Sequence, residues 1–307
     1  MAHRIEDYFP SSDAPNLRIK SVGVPPASAA RPDPEDLDAA LQPAFQALKY
    51  RRIAVLTGAG LSTDSGLPDY RSPGSQVRSP MTIQQFMAEE RWRRHYWARN
   101  HLGWQGPHRA EPNAGHRALA DMEKRGIVTG VVTQNVDRLH TRAGSLHTVD
   151  LHGRYDEVVC TRCGEVTSRE SLHRRLSVLN PDWVPDDPSK AAIAPDADAT
   201  VVNTQGFRVA DCQRCGGILR TNVVFFGGAV RPEDVREATA FVNDAEALLV
   251  AGSSLPVGSA LRLVRRAHKR NMPIVIINRG KTKGDKYADV KVHAGTSQAL
   301  TWLATHL

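Results

Sequence analysis

The chain has 307 residues, of which 41% are hydrophobic and 24% are charged, and its formal net charge is +7. This length exceeds the usual size of a single domain, so we expect one large core and a smaller module. The composition is typical of a globular protein, and no apolar run is long enough to span a bilayer. The positive charge is spread in short clusters, which favours solvated helix faces over a nucleic-acid surface.

Residues 1–33 are predicted to form a flexible N-terminal tail. They are rich in Pro, Ser and Ala and have no apolar periodicity. Glu6 and Asp7 stand early in this segment, and an apolar stretch is missing from it, so we expect neither a secretory signal nor a mitochondrial transit peptide. We therefore expect a cytoplasmic protein, and we expect it to be a monomer.

Buried strands and helices alternate along the rest of the chain. Asp33-Pro34 followed by acidic residues predicts a helix start, with the helix running to about Tyr50 and Pro43 as a bend point. Short apolar runs predict parallel strands at 53–56, 128–133, 247–251 and 273–277. Helical patterns cover 81–102, 113–125, 232–243 and 259–270. This alternation predicts an α/β fold, a Rossmann-like doubly wound parallel sheet.

The segment 155–220 interrupts this alternation and is predicted to be a smaller inserted zinc-binding module. It contains two Cys-x-x-Cys pairs and an irregular Pro- and Asp-rich stretch at 180–200. We expect the Rossmann-like domain to comprise 34–154 and 221–307, with a helical part near 72–112 belonging to the smaller domain. The four cysteines of the chain are Cys160, Cys163, Cys212 and Cys215.

Four thiolates in two closely spaced pairs suit one tetrahedral Zn²⁺ ion. Because such a set leaves no open ligand position, the ion is expected to be structural, and the chemistry must come from other residues. Free cysteines paired for metal also fit a reducing cytoplasm.

A glycine loop, Gly58-Ala59-Gly60, follows the first predicted strand. Glycine lets the backbone pass close to a bound group, and ligands of such sheets bind at the carboxyl ends of the strands. The next glycine is Gly66, which is the wrong spacing for the dehydrogenase fingerprint. The stretch 67–73 contains two prolines and cannot continue a regular helix, so hydride transfer is disfavoured.

The string from Gly58 to Arg71, GAGLSTDSGLPDYR, resembles the signature of the sirtuins, which are NAD-dependent protein deacylases. The resemblance continues, in the order of the family, through the segments 134–137, 151–153, 223–227 and 252–255, both cysteine pairs and Asn278. The stretches YWARN at 96–100 and LNP at 179–181 resemble the class II branch of the family.

This resemblance implies an enzyme that transfers the acyl group of an acylated lysine to ADP-ribose with release of nicotinamide. His152 is then the general base, a role that suits a side chain with an unperturbed pKa near neutrality. Asn135 is the second implied catalytic residue, which orients the ribose and a water. Asp137 is implied to bind the nicotinamide carboxamide, although Asn and Asp at strand ends also form simple turns.

The implied NAD contacts come from all four strand-end loops. Asp69, Tyr70 and Arg71 are expected to form a closing loop, although a structural salt bridge is an alternative use for Arg71. The remaining expected contacts are Gly58, Ala59, Gly60, Ser62, Gln134, Asn135, Val136, Asp137, Gly252, Ser253, Ser254, Asn278, Arg279, Gly280 and Thr296.

The acyl-lysine substrate is expected to bind by strand addition along 223–227, with Val224, Phe226 and Gly227 as contacts. Tyr96 and Arg99 share a helix face, and a Tyr-x-x-Arg pair grips acidic acyl groups in one branch of the family. Arg99 is therefore a hypothetical partner for a succinyl- or glutaryl-type carboxylate. The aromatic residues of this helix are equally consistent with simple core packing.

Two other functions remain open at this point. The same NAD site is compatible with mono-ADP-ribosylation of proteins, which differs in where the ADP-ribose ends. A basic zinc-containing nucleic-acid-binding protein is the third hypothesis, but the sequence contains no recognition helix or base-stacking motif.

Overall fold

The computed structural model describes residues 32–70, 80–183 and 204–307. The first 31 residues, Arg71 and most of the irregular stretch at 180–200 therefore lie outside the described residues. The strands are β1 (Ile53–Thr57), β2 (Val128–Thr133), β3 (Thr148–Asp150), β4 (Gly153–Cys160), β5 (Val166–Ser168), β6 (Leu219–Val223), β7 (Ala247–Ala251), β8 (Ile274–Ile277) and β9 (Val290–Val292).

The helices in the described ranges are α1 (Leu37–Leu48), α2 (Ile83–Ala88), α3 (Glu90–Gly103), α4 (Gln105–Arg109), α5 (Ala114–Lys124), α6 (Leu139–Arg142), α7 (Arg169–Leu179), α8 (Pro232–Asp244), α9 (Gly258–Lys269) and α10 (Thr296–His306). Short 3₁₀ helices cover Ala59–Ser65 and Asp285–Tyr287. None of the helices in these ranges is long and apolar enough to cross a membrane.

A six-stranded parallel sheet forms the larger part of the molecule. Its strand order is β3-β2-β1-β7-β8-β9, and every neighbouring pair is parallel. Each residue of β1, β7 and β8 is buried, as the continuous apolar runs predict for strands covered on both faces. The Rossmann-like parallel sheet is therefore confirmed.

Two apolar cores cover the two faces of this sheet. Helices α1, α5 and α10 bury their apolar faces with Leu41, Leu119 and Leu300 on one side. Helices α8 and α9 pack on the other side, where Val242 and Val264 join the core. This arrangement leaves the carboxyl ends of β1, β2, β7 and β8 along one edge, with their loops side by side.

Helix α1 begins later than the sequence pattern predicts. The structure places Asp36 at the N-cap, where its carboxylate accepts a hydrogen bond from the Ala39 amide at 2.9 Å. Asp33 precedes the helix and forms an ion pair with Arg279, with an N–O distance of 2.6 Å. The predicted start at Asp33-Pro34 is therefore wrong, and Asp33 is held by Arg279, while residues 1–31 of the predicted tail lie outside the described residues. Pro43 lies inside the helix.

A second, antiparallel sheet has the order β5-β4-β6 and carries the cysteines. Its core includes Phe86 from α2, Trp97 from α3 and Leu176 from α7, together with Cys160 and Cys212. The aromatic face of α3 therefore packs in a core, as one of the two sequence interpretations expects. The division of the chain into domains remains a prediction.

Arg169 fixes α7 against α3 inside this second core. The residue is fully buried, and its guanidinium lies 5.3 Å from the centroid of the Trp97 ring and 5.0 Å from that of Trp104. Its Nε and Nη2 donate at 3.1 Å to the side-chain and main-chain oxygens of Asn100. A planar guanidinium can stack on two indole rings and still donate in its own plane, which an ammonium group cannot do.

Gly153, at the start of β4, is required by both its backbone conformation and its surroundings. Its φ is +84°, and a Cβ atom would overlap the carbonyl oxygen of Asn222 and lie 2.9 Å from the Val223 Cα. We expect Gly153→Ala to lower the free energy of unfolding by about 3 kcal/mol or more, combining backbone strain with overpacking.

Gly126→Ala is the matched control, because its φ is +76° and its Cβ would meet no atom within 4 Å. This variant should lose only the backbone part, about 1 kcal/mol. Urea denaturation of both variants measures the difference. Equal losses would contradict the steric account of Gly153.

Candidate active site

The site is built where two glycine-containing loops touch. The Gly60 amide donates to the Gly252 carbonyl at 2.9 Å, and a Cβ atom on Gly60 would lie 2.9 Å from the same oxygen. A Cβ on Gly58 would lie 2.7 Å from the Ser253 Cβ. Glycine at these positions therefore lets the loops after β1 and β7 approach at backbone distance.

A chain of buried polar groups follows β2. The Asn135 Nδ2 donates to the Gly58 carbonyl and to the Ser62 Oγ, each at 3.1 Å. The Ser62 hydroxyl in turn donates to Asp137 Oδ2 at 2.6 Å, and the Leu139 amide donates to Asp137 Oδ1. Burial raises the pKa of Asp137, and the hydrogen bonds from Ser62 and Leu139 act in the opposite direction.

The three hydrogen-bonded side chains Asn135, Ser62 and Asp137 are almost fully buried near strand ends. Apolar side chains at these positions would be buried at a lower cost in free energy. Asn135 is 8% exposed, Asp137 is 5% exposed and Ser62 is 2% exposed. Burying polar groups costs free energy unless they are hydrogen-bonded, so their placement fits a ligand site better than a simple turn.

Gln134 joins the loops from the other side. Its Nε2 donates to the Thr57 carbonyl at 3.0 Å and to the Ser253 Oγ at 2.7 Å. The loops after β1, β2 and β7 are thus connected by side chains that the sequence assigned to the NAD site.

His152 lies between the two sheets, two residues after β3 and directly before β4. Its Nδ1 is 3.1 Å from the Gln134 carbonyl oxygen, and its Nε2 is 2.9 Å from the Ser259 Oγ. Desolvation lowers the pKa of His152 to about 4, while the bond to Gln134 acts in the opposite direction. The imidazole is therefore neutral at physiological pH and able to accept a proton.

The loops after β8 and before α10 lie at the far end of the same edge. Thr296 donates through its hydroxyl to the Gly60 carbonyl at 3.2 Å, which ties α10 to the glycine loop. Asn278 donates through its Nδ2 to the Gly280 carbonyl, and Arg279 forms an ion pair with Asp33. Ala59, Val136 and Ser254 are partly buried in the same loops.

The segment predicted to close over the ligand is described only in part. Asp69 is partly buried, and Tyr70 is 38% exposed at the surface. Arg71 lies outside the described residues.

The expected peptide strand at 223–227 is only partly correct. Strand β6 ends at Val223, and the Val224 amide already donates to the His152 carbonyl at 2.8 Å. The Phe226 carbonyl accepts from the Ile83 amide at 2.9 Å, and Gly227 accepts from the Gln84 side chain. Regular strand structure therefore ends at Val223, and residues 224–227 form an irregular segment bonded to His152 and α2, while its contact with a substrate stays a prediction.

Tyr96 and Arg99 both have partners within the protein. The Tyr96 hydroxyl lies 2.5 Å from the Thr221 Oγ1, and its ring packs 5.1 Å from the Phe225 ring. Arg99 Nη1 donates to His95 Nε2 at 3.0 Å. Sequence reasoning did not identify His95, and desolvation together with the charge of Arg99 lowers its pKa to about 4.

The four cysteines form one compact cluster. Their Sγ atoms lie within 4.8 Å of one another, with 3.5 Å between Cys160 and Cys215 and 3.8 Å between Cys163 and Cys212. A tetrahedral ion with Zn–S bonds of about 2.3 Å needs sulfur separations of about 3.8 Å, so the set fits zinc.

Two local features support this cluster. A hydrogen bond from the Cys163 backbone is the main cause that lowers the pKa of Cys160, whereas desolvation raises the pKa of Cys212 and of Cys215, so Cys160 is the most readily ionised of these three thiols. A Cβ on Gly217 would lie 2.8 Å from the Cys160 Sγ, so glycine is required beside the sulfurs.

Sequence reasoning missed Ser259, which touches the candidate base. The residue follows the GSSL segment closely, but its contact with His152 joins positions 107 residues apart. A serine near the start of a helix is ordinarily interpreted as an N-cap residue, so the sequence gives no indication of a contact with His152.

Comparison with known proteins gives one consistent result. The model of the Sir2 family matches residues 58–259. The chain is 52% identical over 262 residues to NAD-dependent protein deacetylase 1 of Mycobacterium avium (strain 104), covering 85% of this chain and 93% of that protein. It is 40% identical over 292 residues to the mitochondrial NAD-dependent protein lipoamidase sirtuin-4 of Bos taurus, covering 93% and 90% of the two chains.

Solved structures agree with these relatives. A Sir2 protein with a p53 peptide and NAD⁺ has a TM-score of 0.67 and 29% identity, covering 85% of this chain and 95% of that chain. A structure on the mechanism and regulation of Sir2 enzymes has a TM-score of 0.69 and 27% identity, covering 88% and 98%.

The cysteine cluster gives a test of the metal's role. We expect metal removal or Cys212→Ser to lower Tm by at least about 5 °C, because metal-binding free energy contributes to folding. Differential scanning calorimetry and metal analysis measure both quantities, and added zinc should restore the wild-type Tm after chelation. An unchanged Tm with the metal verifiably removed would refute a structural role.

Proposed function

This chain belongs to the Sir2 family, and from that membership we propose that it is an NAD-dependent protein-lysine deacylase with His152 as general base. The enzyme transfers the acyl group from lysine to the ADP-ribose part of NAD and releases nicotinamide. The M. avium relative is named a deacetylase and the bovine one a lipoamidase, so NAD-dependent removal of acyl groups is common to both names.

The observation that carries the assignment of the base is the hydrogen bonding of His152. Its Nδ1 faces a carbonyl oxygen, which only accepts, so the ring proton resides on Nδ1. The opposite nitrogen, Nε2, is then the proton acceptor. An uncharged, oriented imidazole between the two sheets is the group best suited to deprotonate a hydroxyl of the substrate.

The buried chain of Asn135, Ser62 and Asp137 supports binding of the cofactor. Asn135 is hydrogen-bonded to Ser62, and Ser62 to Asp137. These side chains are therefore already ordered before the ligand binds, which lowers the entropic cost of binding. We assign Asn135 to the ribose and Asp137 to the carboxamide of nicotinamide. The Asp137 carboxylate can accept a hydrogen bond from the NH₂ group of that carboxamide. When bound, NAD supplies a ribosyl carbon whose bond to nicotinamide is weak enough to be broken.

The glycine contact between Gly60 and Gly252 supports the position of the dinucleotide. The two joined loops lie at the carboxyl ends of β1 and β7, and this edge of a parallel sheet is where nucleotides bind. Thr296, bonded to the Gly60 carbonyl, and Asn278 are assigned to the adenosine side.

The substrate is assigned to the region around Val224, Phe226 and Gly227, next to His152. The Val224 amide donates to the His152 carbonyl, so this hydrogen bond fixes the position of the loop relative to the base. Sir2 structures with p53 and acetylated peptides among the similar proteins support a peptide as substrate.

For the acyl group, we infer that Arg99 contributes to recognition of an acidic chain. It lies on α3 next to Tyr96, whose ring contacts Phe225 directly beside Phe226. Arginine binds carboxylates bidentately, which is the basis of this assignment. A cytoplasmic, monomeric enzyme is part of the same proposal, supported by cysteines that need reducing conditions to hold metal.

The general base can be tested directly. His152→Ala should keep the fold and reduce deacylation of an acyl-lysine peptide by at least about 100-fold, because the proton acceptor is lost. His147→Ala is the control, since that imidazole is 64% exposed and bonds to Glu123.

Mass spectrometry with adenine-labelled NAD follows the products. Label in O-acyl-ADP-ribose is expected, whereas label retained on the protein would favour mono-ADP-ribosylation instead. Near-normal turnover by His152→Ala would overturn the assignment of the base.

The acyl hypothesis is tested with Arg99→Met. The variant should lower kcat/KM for a glutaryl-lysine peptide by about 10-fold or more relative to an acetyl-lysine peptide, because a charge-assisted contact is lost. Arg94→Met, on the same helix and paired with exposed Glu90, is the control. Equal losses on both peptides would refute a role in acyl selection.

A further inference from the structure

His152 is held at both ring nitrogens, and the two contacts are of different kinds. The Gln134 carbonyl fixes the proton on Nδ1, at 3.1 Å. Nε2 of the neutral ring is then an acceptor, so the Ser259 hydroxyl, at 2.9 Å, donates to it. The main chain selects the tautomer, and the serine occupies the nitrogen that remains.

Ser259 is placed by a packed helix. It is the second residue of α9, and the following residues of its buried face, Ala260 and Val264, are fully buried. Ser259 itself is 8% exposed. Because the helix fixes its backbone and burial excludes most water, its hydroxyl has few other partners to reach and is held against Nε2.

This bond uses the same electron pair that catalysis requires. An imidazole nitrogen of the pyridine type has a single lone pair in the ring plane, and therefore accepts one strong hydrogen bond. A general base uses that lone pair to take the proton of the reacting hydroxyl. The Ser259 hydroxyl and a substrate hydroxyl therefore cannot both occupy Nε2.

We propose that Ser259 is a positioning residue that caps the base nitrogen of His152 and gives way to a ribose hydroxyl of NAD. The proposal rests on the proposed function, because it requires His152 to act as the base. It adds a competition at Nε2 between a hydroxyl of the protein and a hydroxyl of the ligand.

The exchange balances hydrogen bonds and protons. The Ser259 O–H leaves Nε2 as the ribose hydroxyl arrives, and the proton of that hydroxyl passes to Nε2 while its oxygen keeps the electron pair. Once Nε2 carries the proton, it has no lone pair left for the Ser259 hydroxyl and stays paired with the ribose oxygen that gave the proton. Ser259 is thus bonded to the ring only while no ribose hydroxyl occupies Nε2.

Capping and support predict opposite changes in NAD binding when the Ser259 hydroxyl is removed. A hydrogen bond present only before the ligand binds stabilises the ligand-free enzyme, so removing it strengthens binding. A serine that merely supports the ring would, on removal, weaken binding or slow the reaction. The direction of the change therefore separates the two roles.

Ser297 provides a matched control for Ser259. It is also the second residue of its helix, α10, and it is also 8% exposed. Its Oγ has no hydrogen-bond partner among the described residues. Ser297→Ala therefore removes an equally buried hydroxyl from an equivalent helix position without touching His152.

The first experiment uses ¹⁵N NMR of the histidine side chains in the ligand-free protein at pH 7. We expect the wild-type His152 to be protonated on Nδ1, and we expect Ser259→Ala to shift the Nε2 signal downfield towards that of an unbonded acceptor. Ser297→Ala should leave the signal in place. A wild-type His152 protonated on Nε2, or an Nε2 signal unchanged in Ser259→Ala, would overturn the proposal.

The second experiment measures kinetics at saturating acyl-lysine peptide. Ser259→Ala should lower KM for NAD by about two- to tenfold, the effect of one net hydrogen bond, and raise kcat/KM accordingly. Ser259→Thr, which keeps the hydroxyl, should return KM towards the wild-type value. A lower kcat/KM in Ser259→Ala would establish support rather than capping.

These outcomes are distinguishable from failure of the proposed function. If the wild-type enzyme does not deacylate peptides with NAD, the function itself fails. If the wild type is active and Ser259→Ala only loses activity, the cap alone fails. The wild-type NMR spectrum tests the contact even if the alanine variant does not fold.

Discussion

The close approach of the backbone at Gly58–Gly60 to Gly252 is the constraint on which the rest of the site depends. It brings the loops after β1 and β7 within hydrogen-bond distance, at 2.9 Å between the Gly60 amide and the Gly252 carbonyl. Side chains of any size would separate these loops, since a Cβ on Gly252 would overlap the Leu61 amide. Gln134 and Asn135 can then reach across from the β2 loop to both of them.

Once the loops are joined, the polar groups between them form a continuous network. Asn135, Ser62 and Asp137 stabilise one another in a buried setting, where any missing partner would cost about 1–3 kcal/mol. The same network meets the base, because Gln134 supplies through its carbonyl the acceptor that orients His152. The geometry of the site is thus determined mainly by main-chain groups, which are less mobile than side chains.

The sequence predicted the parts of the fold that rest on continuous burial. The strands at 128–133 and 247–251 have the predicted bounds, because a parallel strand covered on both faces is mostly buried and rich in apolar residues. Strands β3, β5 and β9 have three residues each and were not predicted, since so short a run has no period. The start of α1 was misplaced because Asp33 and Asp36 are both acceptable caps, and tertiary contact with Arg279 selects between them.

The candidate site was predictable to a different extent. The residues that line the strand ends stand in recognisable segments, so the sequence identified Asn135, Asp137 and His152 together. What His152 bonds to was not predictable, because its contact with Ser259 depends on how α9 packs, whereas His95, the partner of Arg99, lies one turn away on the same helix. The strand expected at 223–227 ends at Val223, and beyond it the Phe226 carbonyl bonds to the Ile83 amide of α2.

One strand connects the base with the cysteine cluster, and its length has a consequence for how such a chain can vary. Strand β4 begins one residue after His152 and ends at Cys160. Because β4 pairs regularly with β6 from Val158 to Cys160, inserting or deleting a single residue in that stretch would turn the Cys160 thiol to the opposite face, away from the other three sulfurs. A change of two residues would keep the face but displace the thiol by about 7 Å, far beyond the reach of a metal–sulfur bond. The length that cannot change is therefore the regular part of β4 next to Cys160, since between Arg154 and Val158 the pairing with β6 is already interrupted.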